Sequence, residues 1–246
     1  MRVSIFITCL VDQLYPEIGT SMVDLLTRLG VEVTFNKDQT CCGQPAFNSG
    51  YRDESRAVAV RMLDLFTREL ESVDYIVAPS GSCVSMIRKS YACLFVDDPK
   101  RQAQAKRVAD RLYELSEFLV EILDTQDVGA VFGGRVTYHD SCHLLRELGV
   151  SQAPRKLIKA VAGVDFVEME NAEGCCGFGG TFSVKHPEIS AAIGAEKVRH
   201  IECSEAETVV ACDASCLMHI GGFLNRKGSA VRPVHLAEFL NSSQQQ

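Results

Sequence analysis

The sequence is short of several things, and each shortage removes a class of function. Basic residues are outnumbered: 25 Lys plus Arg against 32 Asp plus Glu give a net charge of −7. That argues against a nucleic-acid binder, which needs a basic face. No apolar run approaches the roughly 18 residues of a membrane span. The apolar N-terminal stretch Met1–Val11 carries Arg2, ends before Asp12 and lacks a small-residue cleavage site. It reads as a buried first strand and not as a signal peptide, so a cytoplasmic protein is expected. No G-x-G-x-x-G follows that strand, which leaves a Rossmann-bound nicotinamide or flavin without support. C-x2-C, the pairing typical of zinc sites, is missing as well.

What the chain has in excess is cysteine, 11 in 246 residues. A chain of this size buries roughly 70 % of its unfolded surface and needs no disulfide staples. The number is also odd. In a reducing compartment such a count points to metal, cluster or thiol chemistry. Cys93 and Cys203 stand outside any pattern and read as small buried hydrophobes.

The other nine follow an internal repeat. Cys9 and Cys142 are 133 residues apart, Cys41-Cys42-Gly43 and Cys175-Cys176-Gly177 are 134 apart, and Cys83 and Cys216 are again 133 apart. Val77–Cys83 aligns with Val210–Cys216, which sets Pro79 opposite Cys212. Glu117-Phe118-Leu119 and Glu238-Phe239-Leu240 close the two segments. Two homologous halves are expected, 1–125 and 130–241, joined across Asp124–Gly134, with a frayed tail over Asn241–Gln246.

Each half alternates strand and helix. Strands are expected at Val3–Thr8, Val31–Phe35 and Val73–Ala78, then at Arg135–His139, Asp165–Met169 and Thr208–Ala211. Helices are expected at Pro16–Leu29, Asp53–Leu70 and Pro99–Leu123, then at Pro154–Val161, Pro187–Ile201 and Leu236–Leu240. The basic residues Arg101, Lys106, Arg107 and Arg111 give the stretch Pro99–Leu123 a solvated face. This order predicts an α/β protein of two pseudo-symmetric, Rossmann-like halves with mostly parallel sheets. Ligands of such sheets sit beyond the carboxyl ends of the strands, and that is where the cysteines fall.

Cys9, Cys41, Cys42 and Cys83 are therefore candidate ligands of one pocket, and Cys142, Cys175, Cys176, Cys212 and Cys216 of a second. Four thiolates complete the tetrahedron of one zinc ion. Adjacent cysteines reach two irons of a cluster more easily than one small ion. Gly43 and Gly177 let the backbone bend, and Gly177–Gly180 and Gly81-Ser82 allow N–H groups to approach cluster sulfides. His139 and His143 flank Cys142, so a reactive thiol is the competing chemistry. A structural role is the simpler reading for His139, His143 and His186 alike, with His143 the best placed of them to assist. Asp140 reads as a turn cap, Lys185 and Arg146 as surface charges, and Pro45 and Pro79 as loop formers.

Cys41–Gly50, Tyr138–His143 and Cys175–Phe182, with 31 or 32 residues between the lone cysteine and each C-C-G, resemble the cysteine-rich (CCG) domain of the heterodisulfide reductases. The duplicated form is similar to the lactate utilization protein A family over almost the whole chain. The resemblance implies a part in oxidising L-lactate to pyruvate beside two companion subunits, one carrying further iron–sulfur motifs, with a small hydroxy acid handled by the complex. It also implies iron–sulfur clusters, one or two, of the noncubane 4Fe–4S kind that uses about five cysteines and a terminal C-x2-C. This chain departs from that pattern: the first half ends on Cys83 alone, and Cys212 and Cys216 enclose three residues. Zinc at one site stays open. So do two other functions, a zinc-holding docking subunit and a thiol–disulfide oxidoreductase.

Overall fold

The computed structural model describes residues 1–242. Residues 243–246 of the tail lie outside the described residues. Where fraying was expected to begin, Asn241 and Ser242 are held. Arg28 donates to Asn241 Oδ1 at 2.6 Å, and Ser242 exchanges bonds with the Val131 backbone.

Eight short strands form two sheets of four. In the first, β1 (Arg2–Ile5), β2 (Glu32–Phe35), β3 (Tyr75–Ala78) and β4 (Leu112–Glu114) lie in the order β2-β1-β3-β4. In the second, β5 (Val131–Tyr138), β6 (Ala162–Phe166), β7 (Thr208–Ala211) and β8 (Arg232–His235) repeat it as β6-β5-β7-β8. All pairings are parallel. The fold is thus the expected α/β arrangement with two pseudo-symmetric halves.

Helices cover the sheets because their apolar stripes demand it. Pro16–Arg28 begins with Pro at its first turn, buries Ile18, Met22, Leu25 and Leu26, and gives way to Gly30 at φ 78°. The stripe meets Val3 and Ile5 of β1 and, from the other half, Leu236, Phe239 and Leu240. That apolar core is continuous across the repeat.

Three expectations are corrected. The stretch Pro99–Leu123 is not one helix. The helix stops at Ala109, Leu112–Glu114 extends as β4 beside Ile76–Ala78, and helical turns resume at Leu115. Leu112 and Glu114 are buried while Tyr113 is less so, the alternation of a strand. Sheet pairing overrides local helix preference here. The strand expected at Asp165–Met169 lies at Ala162–Phe166, in the register that sets Asp165 beside Arg135. Cys93 and Cys203 are exposed and not buried.

The two sheets meet at equivalent residues. Ser80 and Asp213 form an antiparallel bridge to each other. Beyond them, β4 and β8 each feed a short closing helix capped by its first residue. The Glu114 carboxylate accepts the Ser116 and Glu117 N–H groups, and His235 Nδ1 accepts that of Ala237. No helix among the described residues is long and apolar enough to cross a membrane.

Candidate metal centre

The ends of the first three strands of each half deliver the cysteines, while β4 and β8 deliver none. Cys9 opens the helix Cys9–Leu14 after β1, and Cys142 follows β5 just before the helical turn His143–Glu147. Cys83 lies in the helix Gly81–Ser85, capped by Ser80, whose hydroxyl takes the Cys83 N–H at 3.4 Å. Cys216 lies in the first turn of the helix Ala214–Lys227, capped by Asp213.

The paired cysteines depend on the glycine behind them. Gly43 and Gly177 sit at φ 85° and 93°, in the left-handed region. Their N–H groups turn back to Cys41 Sγ at 3.4 Å and Cys175 Sγ at 3.3 Å. Their carbonyls are held by the hydroxyls of Ser55, at 3.2 Å, and Ser190, at 2.8 Å. The same clamp is thus built twice.

In the first half the thiols form a chain of contacts, Cys9 to Cys41 to Cys42 to Cys83, with Cys9 and Cys41 sulfurs 3.9 Å apart. In the second half Cys142, Cys175, Cys176 and Cys216 do the same. Hydrogen bonds from Cys42, from Cys9 and from the Gly43 amide hold the Cys41 thiol far below its ordinary range. Cys175 is held down likewise by Cys142, Cys176 and the Gly177 amide. Their neighbours Cys9, Cys42, Cys142 and Cys176 are pushed up, because they donate to those sulfurs and are buried. None of the 11 cysteines is in a disulfide.

The two sets do not occupy separate pockets. All eight of these cysteines line one cavity of about 420 Å³, together with Thr8, Gln44, Ser82, His143, Phe178 and Asp213. Its two walls touch where Ser49 Oγ meets Thr181 Oγ1 at 2.9 Å. Asp213 ties its floor together: one carboxylate oxygen takes the Ser82 N–H at 3.0 Å, and the other takes the Ser215 N–H at 3.1 Å.

Cys212 is not brought to this cavity. It is fully buried in the core between the halves, where the Tyr138 hydroxyl donates to its sulfur at 3.5 Å. The sequence places it opposite Pro79, a position that faces the other half and not the strand-end loop.

His143 does lie beside Cys142, with Nδ1 3.6 Å from the sulfur. His139 is the more deeply placed ring, with no exposed surface. Burial and the nearby Lys197 charge push it down to about 3. Lys197 is also buried, and donates to the Asn171 and Ala172 carbonyls at 2.6 and 3.2 Å. Burial lowers it to about 8, while Cys176, Asp140 and Cys175 oppose the shift. Asp140 is no ligand: Arg155 grips both its oxygens, at 2.9 and 2.5 Å, and also binds Glu168. Lys185 and His186 are exposed, and Arg146 donates to the Glu173 carbonyl. Sequence reasoning passed over Lys197 and the bridging role of Asp213. Nothing in the cysteine spacing marked Lys197: only the serine clamps, seen in the structure, align it with Met62 of the first half.

This donor set suits an iron–sulfur group in kind. Thiols in fours, adjacent sulfurs and backbone N–H groups aimed at sulfur are features such groups use.

Residues 3–88 and 136–221 each match the family model described as a cysteine-rich domain, CCG. Over 242 residues the chain is 49 % identical to lactate utilization protein A of Geobacillus kaustophilus (strain HTA426), covering 98 % of this chain and 99 % of that one. It is 48 % identical over 245 residues to the same-named protein of Exiguobacterium sp. (strain ATCC BAA-1283 / AT1b), covering 100 % and 99 %. The chain belongs to the lactate utilization protein A family. The fold also has a solved likeness, a hypothetical protein from Helicobacter pylori. It superposes with a TM-score of 0.63 at 12 % identity, over 97 % of this chain and 48 % of that one.

Proposed function

We propose that this chain is an iron–sulfur electron-transfer subunit of a multi-protein, cytoplasmic complex that oxidises L-lactate to pyruvate. The name carried by its relatives supports the pathway. The observation that carries the chemistry is the pair of C-C-G clamps, each joined to two further thiols at one cavity. Cys9, Cys41, Cys42 and Cys83 would hold one cluster, and Cys142, Cys175, Cys176 and Cys216 the other.

A bound cluster supplies one-electron storage, which no side chain here provides. The chain's own residues do the rest. Gly43 and Gly177 donate N–H groups to thiolate sulfur and spread its charge. Lys197 places a cation beside the second set. Asp213 fixes the two helices that carry Cys83 and Cys216. The chain holds no nucleotide-binding glycine motif, so removal of hydride or electrons from the hydroxy acid is assigned to a companion subunit.

Anaerobic purification tests this reading. Brown protein with iron and acid-labile sulfide in equal amounts is the expected result. Colourless protein with stoichiometric zinc would instead make the chain a zinc-holding docking subunit. Metal-free protein that reduces small disulfides would make it a thiol–disulfide oxidoreductase.

A further inference from the structure

The halves offer the same four thiols but not the same neighbours. The repeat sets His139 opposite Phe6, and the serine clamps at Ser55 and Ser190 set Lys197 opposite Met62. Phe6 is buried and packs edge-on against Phe66, with 5.2 Å between ring centres. The equivalent His139 is just as buried, yet neither ring nitrogen has a hydrogen-bond partner among the described residues. The carbonyl beside the ring, that of Ala172, already takes the Asp140 N–H and the Lys197 ammonium, each at 3.2 Å.

A buried polar group without a partner costs on the order of 1–3 kcal/mol. Such a group persists where something else engages it. What the ring faces is sulfur: one of its nitrogens and the Sγ atoms of Cys176 and Cys216 all lie within 4.8 Å of one another. Thiolates and imidazole together form a donor set for iron or zinc.

We propose that His139 is a nitrogen donor to the metal centre of the second half, beside Cys142, Cys175, Cys176 and Cys216. The assignment rests on the reading that these thiols hold a metal centre. It supplies the fifth donor for which the sequence had offered Cys212. Phe6 denies the first half the same donor, so the first centre is all-sulfur and the two centres are chemically unequal.

The test uses full-length protein loaded anaerobically with iron and sulfide, whose iron and sulfide content checks the underlying reading separately. Protein labelled with 15N-histidine is compared with unlabelled protein, after dithionite reduction, by electron spin-echo envelope modulation. The expected result is a directly bound nitrogen that follows the isotope. It persists in His143→Leu, which installs the first half's Leu10, and disappears in His139→Phe, which installs its Phe6. Iron-loaded protein with no bound histidine nitrogen overturns the assignment and leaves the iron–sulfur reading standing. So does a signal lost in His143→Leu. His219, which lies beside the Gly177 clamp, is the other ring near these thiols. If His139→Phe loses its iron, a signal that persists in both His143→Leu and His219→Leu upholds the assignment, and one lost in His219→Leu overturns it. If the metal is zinc, X-ray absorption at its edge asks the same question. A nitrogen neighbour lost in His139→Phe then upholds the assignment and overturns the iron–sulfur reading, whereas an all-sulfur shell or metal-free protein overturns both.

Discussion

The carboxylate of Asp213 accepts the backbone N–H of Ser82 at 3.0 Å, across the internal repeat. Its other oxygen caps the helix Ala214–Lys227 through Ser215. One side chain thus starts the two helices that bear Cys83 and Cys216. Asp213→Ala should lower unfolding stability by about 1–3 kcal/mol, the range for losing caps and buried charge-assisted bonds. Metal content should fall at both centres. Asp213→Asn keeps an oxygen acceptor and should lose less. Urea denaturation and metal analysis of the two variants check this. A loss confined to the second centre would contradict the bridging role.

Cys216→Ser should strip metal from the second centre, whereas Cys212→Ser should leave metal content near wild type. Cys216 lines the cavity, and Cys212 lies in the core with the Tyr138 hydroxyl on its sulfur. The serine hydroxyl can still accept that bond, so any cost appears as a modest drop in Tm. Equal metal loss in both variants would restore Cys212 as a ligand.

The two closing helices should respond to pH in opposite directions. Burial raises Glu114 to about 7 from an ordinary 4.5. In that window the folded chain binds more protons than the unfolded one, so the Glu114 contribution is full below about 4.5 and is lost as pH rises through about 7. Glu114→Gln should therefore gain on wild type between pH 5 and 8, by up to about 3 kcal/mol. Burial lowers His235 to about 4 from 6.5. Its neutral ring accepts from Ala237 at Nδ1 and donates Nε2–H to the Pro79 carbonyl at 3.0 Å. That contribution is full above about 6.5 and fades as pH falls through about 4. Denaturation series of wild type, Glu114→Gln and His235→Gln from pH 4 to 8 separate the two. Parallel pH curves for all three would refute both assignments.

Gly177→Ala should disturb its clamp more than Gly43→Ala. A Cβ at Gly177 would meet the Ser190 carbonyl oxygen at 2.6 Å, which is helix backbone and cannot yield cheaply. At Gly43 the nearest atom is the Ser55 hydroxyl at 3.2 Å, which can turn. Both variants also force alanine into the left-handed region, at roughly 1–2 kcal/mol. Thermal unfolding should rank wild type above Gly43→Ala above Gly177→Ala.

Much of this was readable before the fold. The spacing of Cys9, Cys41, Cys42, Cys83 and their repeats placed eight thiols at strand ends, because parallel sheets leave their loops there. The order of strands and helices was readable for the same reason. What escaped were features set by the meeting of the halves. Leu112–Glu114 sits in a helix-favouring stretch and extends only because β3 offers it an edge. β8 is short and contains Pro233, which an outer strand tolerates. Cys212 looked like a ligand because it precedes Cys216, but the chain there turns its side chain toward Tyr138. His139 read as structural because nothing in a single sequence shows that a ring is buried without partners.

The bridge between Ser80 and Asp213 has one more implication. Contact between two copies of the same position is what a two-fold axis produces. A lone repeat would expose the apolar surface that here joins Leu25 and Leu26 to Leu236 and Phe239, and it could cover that surface by pairing with its twin. Within one chain the two seats of such a pair can differ, Ser80 from Asp213, Glu114 from His235 and Phe6 from His139, which identical subunits would not allow.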